Sequence, residues 1–210
     1  MSTTATTSEL LLAQLPREGL GDRKSSCVLI GGLGLGYSLR RVLELVGSRA
    51  TVEVAELLPE VVAWNREFLG GVNGALLDDP RVKVVIGDVF EVIRSAGNDR
   101  YDAILLDVDH SPTSFVQAQN SRLCDRHGFG LISRSLKPDG KVAFWSASEE
   151  PGFLRSLTSA GFKAEAFPAK AHERARRAVH VIYVAERISK TVASRQVIRD
   201  LRTMTFRKLS

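Results

Sequence analysis

Apolar positions along the chain fall into short continuous runs, each followed by a stretch with helical spacing. The first run, Cys27-Val28-Leu29-Ile30, is short and partly β-branched, and it predicts a buried parallel strand. It breaks at Gly31-Gly32-Leu33-Gly34-Leu35-Gly36. Leu39, Val42, Leu43 and Leu45 then recur at helix-like intervals, giving a helix to about Val46. The alternation continues. Strands are predicted over 51–56, 82–86, 101–106 and 141–145. Helices are predicted from Pro59, with Val61, Val62, Trp64, Phe68 and Leu69 as the apolar face, then after Asp88, over 123–136 and over 151–160. Two final strands, 162–167 and 179–185, follow one another across the basic loop Lys170 to Arg177. An N-terminal helix over 8–15, capped by Ser8, precedes the first strand.

Strands alternating with helices imply an α/β fold. The expected fold is a doubly wound, mostly parallel, seven-stranded Rossmann-like sheet with the last strand inserted antiparallel. The chain divides into an N-terminal tail and short helix (1–26), the Rossmann-like domain (27–186) and a basic helical tail (187–210). Its 210 residues suit one domain of this size. The net charge of +5 is unevenly placed. Residues 187–210 carry seven basic side chains against Asp200 alone, so the rest of the chain is close to neutral. No apolar run reaches membrane-spanning length, and the N-terminus has no basic stretch leading into an apolar one, so the expected location is cytoplasmic. Cys27 and Cys124 read as reduced packing thiols, and no metal is expected.

Candidate chemistry gathers at the strand ends. Gly32, Gly34 and Gly36 let the chain turn sharply, and the helix that follows offers free N–H groups and a positive dipole end. That is a cradle for a nucleotide or a carboxylate-bearing ligand. In a parallel sheet the ligand lies outside the carboxyl ends of the strands. Glu56 ends the second strand and can accept from a ribose diol, while Asp88 after the third can accept from an exocyclic amine or cap the next helix. Asp107, Asp109 and His110 after the fourth strand are candidate proton acceptors. Tyr37 and Trp145 are candidate pocket walls or ordinary packing residues.

The stretches Gly31 to Gly36, Glu56 to Val61, Asp79 to Val82, Gly87-Asp88, Tyr101 to Asp107 and Leu136 to Gly140 together resemble the spermidine synthase family. Those enzymes share the nucleotide-binding fold of class I S-adenosylmethionine-dependent methyltransferases. The resemblance implies that Glu56 holds the ribose, Asp88 the adenine, and that Asp107 faces the acceptor amine. Three departures stand out. The family's GGGDGG has its Asp where this chain has Gly34. The second Asp of its DSxDP falls on His110. The chain also reads as a short member without the small N-terminal β-domain.

Decarboxylated S-adenosylmethionine presents an ammonium, which an Asp suits; intact S-adenosylmethionine carries a carboxylate, which an Asp repels. Gly34 removes that repulsion, so the expected cofactor is intact S-adenosylmethionine, with decarboxylated S-adenosylmethionine as the alternative. The first reading of function is methyl transfer to an amine or similar small nucleophile. The alternatives are aminopropyl transfer to a polyamine, intramolecular cleavage or cyclisation that releases methylthioadenosine, and a non-catalytic binding module. A homodimer is one allowed assembly. The basic tail lacks interleaved stacking aromatics, which argues against a nucleic-acid partner.

Overall fold

The computed structural model describes residues 7–17, 25–70, 75–107 and 122–188. Seven strands form one sheet: β1 (Cys27–Gly31), β2 (Thr51–Glu56), β3 (Val82–Ile86), β4 (Tyr101–Leu106), β5 (Leu136–Ser146), β6 (Phe162–Ala169) and β7 (His180–Arg187). Their order across the sheet is β3-β2-β1-β4-β5-β7-β6. β1 to β5 pair in parallel, and β7 inserts antiparallel between β5 and β6. The fold is the doubly wound α/β class expected from the alternating pattern. Between β1 and β4 the winding changes direction, which makes that crevice the switch point.

Strand residues alternate between two packed faces. Val28, Ile30, Ala103, Leu105 and Ala143 pack with Leu12, Leu39, Val42 and Val62 from α1 (Thr7–Gln14), α2 (Tyr37–Leu45) and α3 (Pro59–Glu67). Leu29, Ile104, Leu106, Val142 and Phe144 pack with Phe90, Ile93, Ile132 and Leu157 from α4 (Val89–Ser95), α5 (Arg126–Ser135) and α6 (Phe153–Ser159). On the second face Phe144, Phe153 and Tyr183 stack edge to face, with centroids 5.2 and 5.0 Å apart.

The structure departs from the periodicity in three places. Ser8 does not cap α1. It lies inside the helix, buried, and its hydroxyl is 3.0 Å from His180 Nδ1. In α3 only Val62 and Asn65 are buried, whereas Trp64 is 54% and Phe68 70% exposed. A nine-residue helix beside the outer strands has little sheet to cover. β5 begins at Leu136 rather than 141, and Lys137-Pro138-Asp139-Gly140 forms a bulge within it. There Tyr101 pairs with Leu136 and Ala103 with Lys141, and Asp139 takes φ 64°.

At the amino end of the parallel strands the buried acids have cationic partners. Asp102, 1% exposed, accepts from Lys137 Nζ at 2.5 Å and from the Cys27 N–H at 2.8 Å. Glu53 accepts from the Tyr101 hydroxyl at 2.8 Å and pairs with Arg100. Burial and this carboxylate push the Tyr101 phenol well above its ordinary range. No described helix is long and apolar enough to cross a membrane.

Candidate active site

Three main-chain bonds extend the ladders past the strand ends. The Gly32 N–H donates to the Ala55 carbonyl at 2.9 Å, the Asp107 N–H to the Gly31 carbonyl at 3.0 Å, and the Gly87 N–H to the Glu56 carbonyl at 2.8 Å. They gather the glycine turn, Glu56, Gly87-Asp88 and Asp107 on one rim, at the carboxyl ends of β1, β2, β3 and β4.

Glu56 is buried, yet no cation pairs with it in the described bonds; it is held by main chain. Its Oε2 accepts from the Leu33 N–H at 2.8 Å and its Oε1 from the Leu58 N–H at 3.0 Å. Each oxygen keeps a second lone pair for a ligand hydroxyl. Gly34 and Gly36 stand at φ 51° and 83°, in the left-handed region that a side chain disfavours. Gly36 is the N-cap of α2 and supplies no side-chain acceptor to the first turn. Asn65 fixes this turn from α3. Its buried amide donates to the Gly34 carbonyl and to the Val61 carbonyl, both at 2.9 Å.

Asp88 caps α4, as one of its two readings from sequence anticipated. Oδ1 accepts from the Phe90 N–H at 2.8 Å. Oδ2 accepts from Arg122 at 2.7 Å, and that guanidinium lies over the Phe90 ring, 4.3 Å from its centroid. Asp107 directly follows β4. Asp109 and His110 lie outside the described residues.

α1 packs beside α2 and the start of β7. The Ser38 hydroxyl reaches the Glu9 carbonyl at 3.5 Å, and Ser8 reaches His180 at the start of β7. The His180 ring meets Trp145, at the end of β5, with centroids 4.8 Å apart. Burial lowers the pKa of His180. Glu9 Oε2 and Trp145 Nε1 are buried with no hydrogen-bond partner among the described residues. Burial first, and then the charge of Asp107, push the Glu9 carboxyl up to about 7. Tyr37 opens α2, and Trp145 is partly buried on the α1 face of the sheet. The two thiols are free, and burial pushes Cys124 up to about 12.

Asn65, Arg122 and Glu9 were not apparent as site residues from sequence. Asn65 carried one signal, a polar residue three positions after Val62 on the buried side of a helix. Arg122 and Glu9 carried none, because each meets its partner only through the tertiary fold.

Over residues 11–156 the sequence matches the spermine/spermidine synthase domain. The chain belongs to the spermine/spermidine synthase family. It is 40% identical over 125 residues to polyamine aminopropyltransferase 1 of Streptomyces coelicolor, which covers 59% of this chain and 22% of that protein. The chain therefore spans about a fifth of that relative's length. The fold is similar to a spermidine synthase bound to the transition-state analogue AdoDATO, with a TM-score of 0.69 and 21% identity over 88% of this chain and 61% of that one. It is also similar to human methyltransferase-like protein 13 bound to SAH, with a TM-score of 0.63 and 20% identity over 87% of this chain and 80% of that one.

Proposed function

We propose that this chain transfers the aminopropyl group of decarboxylated S-adenosylmethionine to an amine such as a polyamine. The observation that carries the reading is the ring of strand-end acids, Glu56, Asp88 and Asp107, around the glycine turn in a chain of this family. Glu56 accepts from the ribose hydroxyls with its unused lone pairs, and Asp88 accepts from the adenine amine in place of Arg122. Asp107 holds the acceptor ammonium near the carbon under attack. The sulfonium supplies the driving force, so the protein's task is alignment and removal of one proton.

Methyl transfer from intact S-adenosylmethionine is the second reading, favoured by Gly34. Position 34 itself brings no carboxylate to attract an ammonium or repel a carboxylate. Two unit charges about 4 Å apart in an effective dielectric near 20 interact by about 4 kcal/mol, and a third of that is a tenfold preference. A competition between the two nucleotides, with an amine present, tests both readings. Preference for the decarboxylated nucleotide, with methylthioadenosine as product, is the expected result. Preference for the intact nucleotide with S-adenosylhomocysteine as product replaces it by methyl transfer.

A further inference from the structure

The loop between β6 and β7 carries Lys170, Arg174, Arg176 and Arg177, all exposed, against the single acid Glu173. None of these four cations forms an ion pair among the described residues. Topology sets the loop at the same end of the sheet as Asp107. β6 runs parallel to β5, because each pairs antiparallel with β7. Leu106, just before Asp107, pairs with Phe144. Trp145, next along β5, meets the His180 ring with centroids 4.8 Å apart. His180 pairs with Ala169, where the loop departs, and the Val179 N–H closes it on the Ala169 carbonyl at 3.1 Å. The loop's stem on β7 is thus two strands from Asp107, or about 10 Å at ordinary strand spacing.

The stretch between them offers a second donor. Trp145 Nε1 is buried and has no acceptor among the described residues. An indole N–H only donates, and so does an ammonium, so neither Trp145 nor the loop suits the far end of a polycation. A carboxylate or a phosphate suits both. We propose that the acceptor is an amine whose other end is anionic, with its nitrogen at Asp107 and its carboxylate or phosphate drawn to the loop over 170–179. The inference rests on the transfer reading above and narrows its acceptor from amines in general to amines of mixed charge. Asp107 and the loop form a negative pole and a positive pole on one rim. An acceptor of matching polarity arrives already turned for attack, whereas a diamine is attracted at one end and repelled at the other. The loop holds no Phe, Tyr or Trp, so it lacks the stacking platform of a surface for single-stranded nucleic acid.

The test offers the full chain three acceptors that differ only in the charge at one end: 6-aminohexanoate, 6-aminohexyl phosphate and 1,6-diaminohexane, each with both nucleotides. Wild type should use the carboxylate or the phosphate compound with kcat/KM at least tenfold above the diamine, and the better of the two names the anion. The preference should shrink as salt is raised, since the poles are exposed. Arg174→Gln, Arg176→Gln and Arg177→Gln together should abolish the preference through KM, with kcat and nucleotide Kd within twofold of wild type. Equal or better use of the diamine by wild type, or a preference that the triple variant keeps, overturns the proposal. Binding of an RNA oligonucleotide that the triple variant loses while its acceptor preference persists makes the loop a nucleic-acid surface and overturns it as well. A wild-type chain that makes no transfer product from either nucleotide, with these amines or with 1,4-diaminobutane, overturns the transfer reading instead. Calorimetric binding of 6-aminohexanoate against 1,6-diaminohexane, in wild type and triple variant, then decides the polarity of the site by the same tenfold difference.

Discussion

The two ends of the sheet treat buried acid in opposite ways. At the amino end, Asp102 and Glu53 are neutralised by Lys137 and Arg100. At the carboxyl end, Glu56 is satisfied by main-chain N–H groups, and one oxygen of Glu9 has no partner among the described residues. A charge pair is a closed arrangement, with its field spent on a fixed neighbour. Main-chain donors leave a carboxylate its negative charge and a spare lone pair on each oxygen, while an orphaned oxygen has a buried position with no partner. The amino end is closed on its own cations, and the carboxyl end keeps acceptor positions open.

Glu56→Ala should disturb that contrast most. It leaves the Leu33 and Leu58 N–H groups without acceptors, at about 1–3 kcal/mol each, so stability and nucleotide affinity should fall together. Urea unfolding and calorimetric titration on the same sample measure both. A folded variant of wild-type stability and affinity would show that the bonds to Glu56 matter little. Asp102→Ala should cost about 2–3 kcal/mol of stability, since Lys137 can turn to solvent but the Cys27 N–H loses its acceptor. Its nucleotide affinity should stay unchanged, because the amino end lies away from the rim. Loss of affinity without loss of stability would reverse the assignment of the two ends.

The smallest effect is a slope in stability with pH. The folded-state pKa of Glu9 is raised, so the folded chain binds more protons than the unfolded one between about 4.5 and 7. Its contribution is present below 4.5 and is lost as pH rises through 7. The half-buried His180 acts in the opposite sense, with stability lost as pH falls below its ordinary value. Unfolding wild type and Glu9→Gln at pH 5 and pH 8 cancels the His180 contribution. The Gln variant should gain stability relative to wild type at pH 8, and equal differences at both pH values would place the Glu9 carboxyl in its ordinary range.

The sheet was readable because each strand is a short apolar run, each helix has a 3.6-residue stripe, and Gly or Pro marks the joints. The Glu56, Asp88 and Asp107 positions were readable for the same reason, since a parallel sheet sends every strand's last residue to one rim. Trp64 and Phe68 show where that reasoning stops. Periodicity says which residues share a helix face, but whether that face is covered depends on the width of sheet beneath it. Lys137 to Gly140 has turn chemistry, and only the β4 partner made it a bulge. Glu9 is an acid in the first turn of α1 with no mark of its own in the sequence. Its raised pKa arises from burial in the tertiary fold and from Asp107, distant in sequence, and no local pattern carries that.

The contact between Ser8 and His180 spans 172 positions. During synthesis, β1, β2, β3 and β4 leave the ribosome before β7, so the glycine turn and the strand ends around it can form early. α1, although made first, has no His180 to meet until β7 has inserted between β5 and β6. The turn of glycines and the strand ends around it are thus complete in a nascent chain, whereas the contact that seats α1 waits for the last strand.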